Sequence, residues 1–362
     1  MIFIVCSAFT IFTNRSTIKE HSMSDKPATI KEIAKRLGVS VSTVSRALND
    51  HSTIGLVTRM RVKKLAEELK YEPNQRAIQF LKGKSHTIGV ILPELSESFF
   101  SAAISGIEDI AYKRNYTVLF AQSHDNAVRE KELVEKMRMQ GVDGMLISVA
   151  KTTSSYEHFE QLKKHRIPVV FFDRIPPLSN IHYVASNLES GTFKAVSYLL
   201  KKGHRTIGMI NGPSTLIATK ERKNGYIRSM TSHRLKYDPS LIISCDLTEE
   251  GTIGVMENLL AHKRKPTAIV TFNDYVALFA IRYARTRGIK INEDIEFVSY
   301  ANLPIINYMD HMPVASVEQF PYRQGEKAAD ILLDLIAQPQ KETEQAFYTV
   351  IIESELVAGK NK

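Results

Sequence analysis

Ser42, Thr43, Ser45, Arg46 and Asn49 stand on one side of a nine-residue stretch, VSTVSRALN, that spans 41–49. Short hydroxyls, one amide and one guanidinium can approach phosphate oxygens and base edges closely, which is recognition chemistry rather than bond-making chemistry. A helix face that is merely solvated would favour Glu and Lys. Val41, Val44, Ala47 and Leu48 recur at helical spacing and make the other side apolar.

Two further runs must hold this stretch in place. Ile30, Ile33, Ala34 and Leu37 fall at i, i+3, i+4 and i+7. Thr29 stands where an N-cap belongs, with Glu32 three residues on, the pattern of a capping box. Gly38 ends the helix. After the middle stretch, Val62, Leu65, Ala66 and Leu69 repeat the same spacing. Two helices across a Gly-Val-Ser turn, propped by a third, make a helix-turn-helix that can lay its second helix in a major groove. Spacing alone also suits any small three-helix core; the residue types on the polar face favour the DNA-reading form.

Charge points the same way. Residues 26–86 hold 13 Lys and Arg against 5 Asp and Glu, in a chain of 362 residues with a formal net charge of +9. The basic excess sits in one small segment attached to a near-neutral body, as a nucleic-acid footprint requires. The length suits one small domain and a larger two-lobed one. No apolar run is long enough for a membrane span, and Cys6 and Cys245 form no motif. Residues 1–25 include the apolar run Ile2 to Phe12, but no Lys or Arg precedes it and no clear cleavage site follows. Translation is expected to begin at Met23, with the upstream residues an artefact or a disordered tail.

TIKEIAKRLGVSVSTVSRALN, LAEELKYEPN and KGKSHTIGVILP, in that order, resemble the LacI/GalR family of bacterial transcription regulators. The likeness continues, more loosely, to about residue 355. It implies a small all-α helix-turn-helix headpiece (26–72), a hinge helix and linker (73–86), and an α/β two-lobed periplasmic-binding-protein-like effector domain (87–362). By family position Val41, Ser42 and Arg46 face bases and Thr43, Ser45 and Asn49 face phosphates, with Thr29 counted among the DNA-binding residues. In the hinge, Pro73 breaks the chain and Asn74 can cap a short helix. Ala77, Phe80 and Leu81 then share a face, with Phe80 as the wedge that parts a base step in the minor groove and Leu81 as its fallback. Phe80 packed as ordinary core is the competing reading.

Beyond residue 86 strands and helices alternate. Strands are expected at Thr87–Leu92, Thr117–Ala121, Gly144–Ser148, Val169–Asp173, Thr206–Ile210, Leu241–Ser244, Ala268–Phe272 and Glu296–Tyr300. Helices are expected at Ser98–Arg114, Val128–Gln140, Gly191–Lys202, Lys220–His233 and Asp274–Arg287. This alternation means parallel sheets covered on both faces, with ligands at the carboxyl ends of the strands. The resemblance implies three crossings between lobes, with lobe one at about 87–185 plus 318–344 and lobe two at about 186–317 plus 345–362. No phosphate loop, dinucleotide fingerprint, metal spacing or nucleophile elbow is present, so an enzyme and a cofactor are not expected.

Effector-binding candidates follow from the resemblance. The family's D-L-S-N-P-F-F is Glu94-Leu95-Ser96-Glu97-Ser98-Phe99-Phe100 here. Phe99 or Phe100 would cover a ligand, unless both are core. Asp173-Arg174 matches the D-R that closes a strand, and Arg222 an Arg three before a family Gly. Lys220 stands where sugar-binding members often have Arg, and Lys gives up the bidentate fork. Asn273-Asp274 matches an N-D pair, although Asp274 also reads as an N-cap. V-G-[FY]-D-[DN] has become Val298-Ser299-Tyr300-Ala301-Asn302, so the usual ligand-gripping Asp is Ala301 and Asn302 is left to take part of its role. A small polar metabolite, such as a sugar, fits this polar and aromatic mixture. The expected protein is a cytoplasmic, homodimeric repressor of an inverted-repeat operator on double-stranded DNA, with no membrane contact. A solute-binding protein of the same body fold is the alternative.

Overall fold

The structure is a computed structural model that describes residues 28–72, 84–308, 310–338 and 346–359. Two compact units divide at Leu81–Lys82. Residues 1–25 and the hinge candidates Asn74, Ala77, Phe80 and Leu81 lie outside the described residues.

The first unit contains α1 (Ile30–Leu37), α2 (Val41–Leu48) and α3 (Leu56–Glu68). Thr29 caps α1 by accepting from Glu32 N. The reciprocal half of the capping box is absent, because the Glu32 carboxylate pairs with Arg36 one turn on at 2.6 Å. Gly38 closes α1 at φ 67°, a left-handed conformation that a Cβ would strain. Ile33, Ala34, Val44, Ala47, Val62 and Ala66 form the buried core of this unit. Asp50, after α2, pairs with Lys63 of α3 at 2.7 Å.

The second unit has two six-stranded sheets. The first is built from β1 (Thr87–Leu92), β2 (Thr117–Gln122), β3 (Gly144–Ile147), β4 (Val169–Phe172), β5 (His182–Ser186) and β11 (Thr349–Ile352). All its pairings are parallel, in the order β11-β5-β4-β3-β1-β2. Helices α4 (Ser98–Lys113), α5 (Ala127–Met139), α6 (Glu157–Lys164) and α11 (Pro321–Ala337) belong with it. The second sheet holds β6 (Ile207–Asn211), β7 (Ile242–Ser244), β8 (Ala268–Thr271), β9 (Glu296–Tyr300), β10 (Ala315–Glu318) and β12 (Glu355–Ala358) in the order β12-β10-β9-β8-β6-β7. Only β10 and β12 pair antiparallel. Its helices are α7 (Leu188–Lys201), α8 (Ile217–Ser232), α9 (Glu249–Ala261) and α10 (Asp274–Thr286). Fully buried strands such as β3 and β8 read as short apolar runs because helices cover both faces.

The chain crosses between the lobes after β5, after β10 and after β11. The last crossing corrects the sequence-based boundary near 345. Thr349–Ile352 pairs in register with Tyr183–Ser186, so the chain stays in lobe one until Glu353. Glu353 then ties two crossings together by accepting from Asn187 Nδ2 at 2.9 Å and from Lys194 Nζ at 2.7 Å. Buried Gln324 donates to Ser186 Oγ at 2.8 Å and to the Gln319 carbonyl at 2.9 Å, joining the first crossing to the second.

Candidate functional site

The polar face of α2 is presented by its own start. Ser40, which the sequence reading passed over, is the N-cap and accepts from Thr43 N at 3.1 Å. Its hydroxyl also lies 2.8 Å from those of Ser42 and Thr43, so three hydroxyls are grouped at the positive end of the helix. Val41, Ser42, Arg46 and Asn49 are exposed, Thr43 and Ser45 half-buried. Asn49 ends the helix and turns its amide onto the Ser45 carbonyl at 2.9 Å. Arg46 makes no hydrogen bond or ion pair among the described residues, so its donors remain available. Thr29 lies at the start of α1, where its hydroxyl is engaged in the cap.

In the second unit, a cleft lies between the lobes at the carboxyl ends of the strands. Phe99, Phe100, Asp173, Arg174, Arg222 and Asn273 line it together. Phe99 and Phe100 start α4, are both buried, and meet edge to face at 5.3 Å. They are core residues that also line the cleft.

Arg222, on α8, is 4 % exposed. Its Cζ lies 4.0 Å from the Phe272 ring centroid and 4.4 Å from that of Tyr300. Such cation–π contacts contribute on the order of 2 kcal/mol when desolvated, against several kcal/mol to bury a charge. Burial accordingly pulls the Arg222 pKa down, opposed by Tyr300 and Asp173. Its Nε has no partner among the described residues.

Arg174 is already engaged. Asp125 holds its guanidinium at 2.5 Å, and its Cζ lies 5.7 Å from the Phe100 centroid. Asp173 follows β4 with φ 59°, and burial raises its pKa to about 6 against the pull of Arg174 and Arg222. Ala301, which also lines the cleft, has positive φ as well, at 89°. Strain of this kind gathers where a surrounding structure over-determines the backbone, as at ligand clamps.

Three candidates fall elsewhere. Lys220 is exposed on α8 and does not line the cleft, because it is two residues from Arg222 on a helix that turns roughly 100° per residue. Asp274 is fully buried beneath the lining. It is not the N-cap: Asn273 caps α10 by accepting from Val276 N. Asp274 accepts instead from Leu303 N at 2.7 Å, from Ser316 Oγ at 3.1 Å and from the Ser299 hydroxyl. It therefore fixes the loop after β9. Asn302 lines a neighbouring, more apolar pocket and donates to Glu318 at 3.0 Å.

Glu97, Phe272, Tyr275 and Gln319 also line the cleft and were not foreseen. Glu97 was visible as a departure within the quoted motif; the others carried no local signal. Among the described residues no group of three or more His, Cys, Asp or Glu is placed to hold a metal ion.

Comparison with known proteins places both units. Residues 29–74 match the family model "Bacterial regulatory proteins, lacI family", and residues 85–357 match "Periplasmic binding proteins and sugar binding domain of LacI family". The HTH-type transcriptional repressor PurR of Vibrio atlanticus (strain LGP32) is 30% identical over 85% of this chain and 92% of its own. Catabolite control protein A of Priestia megaterium is 33% identical over 84% of this chain and 91% of its own. Among solved structures, the lac repressor dimer bound to operator and the anti-inducer ONPF is 25% identical, with a TM-score of 0.75, covering 92% of this chain and 98% of that one.

Proposed function

The chain belongs to the lacI family of bacterial regulatory proteins, DNA-binding regulators with an effector-binding domain, and from that premise we propose that it is a repressor controlled by a small polar effector held between its lobes. Arg46 is the observation that carries the DNA reading: an exposed, unengaged guanidinium on the second helix of a helix-turn-helix. It presents two donors to guanine O6 and N7, while Val41 and Ser42 meet neighbouring bases. Thr43, Ser45 and Asn49 position the helix on the phosphates. The operator is double-stranded and inverted, one half-site to each protomer of a homodimer. The cleft supplies the control, with Arg222 taking a hydroxyl or other acceptor of the effector.

We assign the protein no catalytic activity. Relatives such as PurR and CytR are named as transcriptional repressors. No described helix is long and apolar enough to cross a membrane. A regulator that meets chromosomal DNA works in the cytoplasm. A solute-binding role would have no use for the basic headpiece.

Selection of binding sites from random DNA tests this reading. The wild-type protein is expected to select an inverted repeat. Arg46→Ala is expected to weaken binding by roughly 1–3 kcal/mol and to relax the preference at one base pair of each half-site. A uniform loss with an unchanged site profile would make Arg46 a phosphate contact.

A further inference from the structure

Glu97 departs from the family pattern, which has Asn there. It stands at the N-cap of α4 but makes no capping hydrogen bond. Its side chain lines the cleft instead, and makes no hydrogen bond or ion pair among the described residues. The charged groups whose fields act on it are Arg174, Asp125, Asp173 and Glu94. The single cation in that set is already bound, since Asp125 holds Arg174 at 2.5 Å. Glu97 therefore faces mostly like charge, and burial pushes its pKa up.

The other end of the same cleft has the opposite need. Arg222 is sandwiched between two aromatic faces, and its buried Nε lacks an acceptor. A ligand that fills the space must offer acceptors to Arg222 and charge-assisted donors to Glu97. A neutral polyol satisfies the first requirement only. On displacing water it would leave the Glu97 carboxylate without a charge-assisted donor, an arrangement that desolvation penalises. An ammonium carries three donors on a compact positive charge and answers the Glu97 carboxylate. Phe99, Phe100 and Phe272 make part of the cleft lining apolar, which suits the C–H side of a sugar ring.

We propose that the effector is an amino sugar or a polyhydroxylated amine of similar size, its ammonium against Glu97 and its hydroxyls against Arg222. This rests on the cleft being the effector site.

Calorimetric titration and thermal shift on the full chain test the proposal. The probes are D-glucosamine, D-galactosamine and D-mannosamine, each beside its parent hexose and its N-acetyl derivative. An amino sugar is expected to bind at least tenfold tighter than both of its uncharged counterparts. Glu97→Gln and Glu97→Asn are expected to abolish that preference while leaving the circular dichroism unchanged. The proposal is overturned if a hexose or N-acetyl sugar binds as tightly as its amine, if the preference survives both variants, or if none of the probes binds. Operator affinity measured on the same samples keeps the two readings apart. A neutral sugar that releases operator would leave the effector cleft standing and sink the amine. Absence of operator binding would count against the regulator itself.

Discussion

Asp274 shows how a single carboxylate can be kept for structure. Three donors converge on it, yet burial outweighs them and raises its pKa from 3.8 to about 6. The folded state then binds the proton more tightly than the unfolded chain between those values. Stability contributed by this group therefore falls as pH rises through that window and is flat above it. A shift of about two units corresponds to roughly 2–3 kcal/mol. Urea unfolding of wild type and Asp274→Asn between pH 4 and 7 checks this. The wild type is expected to lose stability more steeply across pH 4 to 6. Asp173, raised likewise to about 6, leaves a residual slope in the variant. Equal slopes in the two proteins would remove Asp274 from the account. The contrast with Glu97 is instructive: both are acids near the cleft, but only Glu97 lacks donors from the protein.

At the scale of elements, α4 and α11 of lobe one approach each other closely enough to need glycine on both helices. A Cβ at Gly325 would lie 2.0 Å from the Ala103 carbonyl oxygen, and one at Gly106 2.2 Å from that of Tyr322. Both obstacles are backbone, so no rotamer change relieves them. Gly325→Ala gains about 1 kcal/mol of helix propensity. It must also push the helices apart, and overpacking of a close contact costs typically 1–3 kcal/mol, occasionally more. The clash is expected to win, giving net destabilisation in chemical denaturation; a variant as stable as wild type would mean the helices separate freely. α11 begins next to Phe320 and Gln319, so the same displacement would reach the second crossing between lobes. Sequence periodicity predicted α4 but not this partnership, because a glycine chosen for close approach reads like any other glycine.

For the whole molecule, the coupling of interest runs between the lobes. Lys151 of lobe one donates to the Asp246 carbonyl of lobe two at 3.3 Å, while its own amide donates to Asp125, the partner of Arg174. Contacts across the cleft are thus tied to groups that line it, and an effector that fills the cleft would act on both. Outside the cleft, the concentration of positive charge in 26–86 sets how the protein meets DNA. Each phosphate neutralised is expected to steepen the decline of log affinity with log salt by about 0.9. Sedimentation equilibrium is expected to give a dimer, and footprints two protected half-sites. A monomer protecting one unrepeated site would sink this prediction.

Local periodicity and caps were enough to read the headpiece, because α1, α2 and α3 are short amphipathic helices whose signals lie within a few residues of one another. They were also enough to recognise alternating strands and helices in the body. Short elements such as β5, β10, β11 and β12 escaped, since four or five residues carry too little pattern and their place is decided by pairing with distant strands. The return of β11 to the first sheet is one such long-range decision, and it moved a lobe boundary. The cleft was legible in part: motifs supplied Phe100, Arg174, Arg222 and Asn273. Sequence could not tell that Arg174 is already paired, that Lys220 points away, or that Asp274 lies under the loop. Residue type determines what a side chain is able to bind; burial and the neighbours brought by the fold determine whether that capacity is still unused.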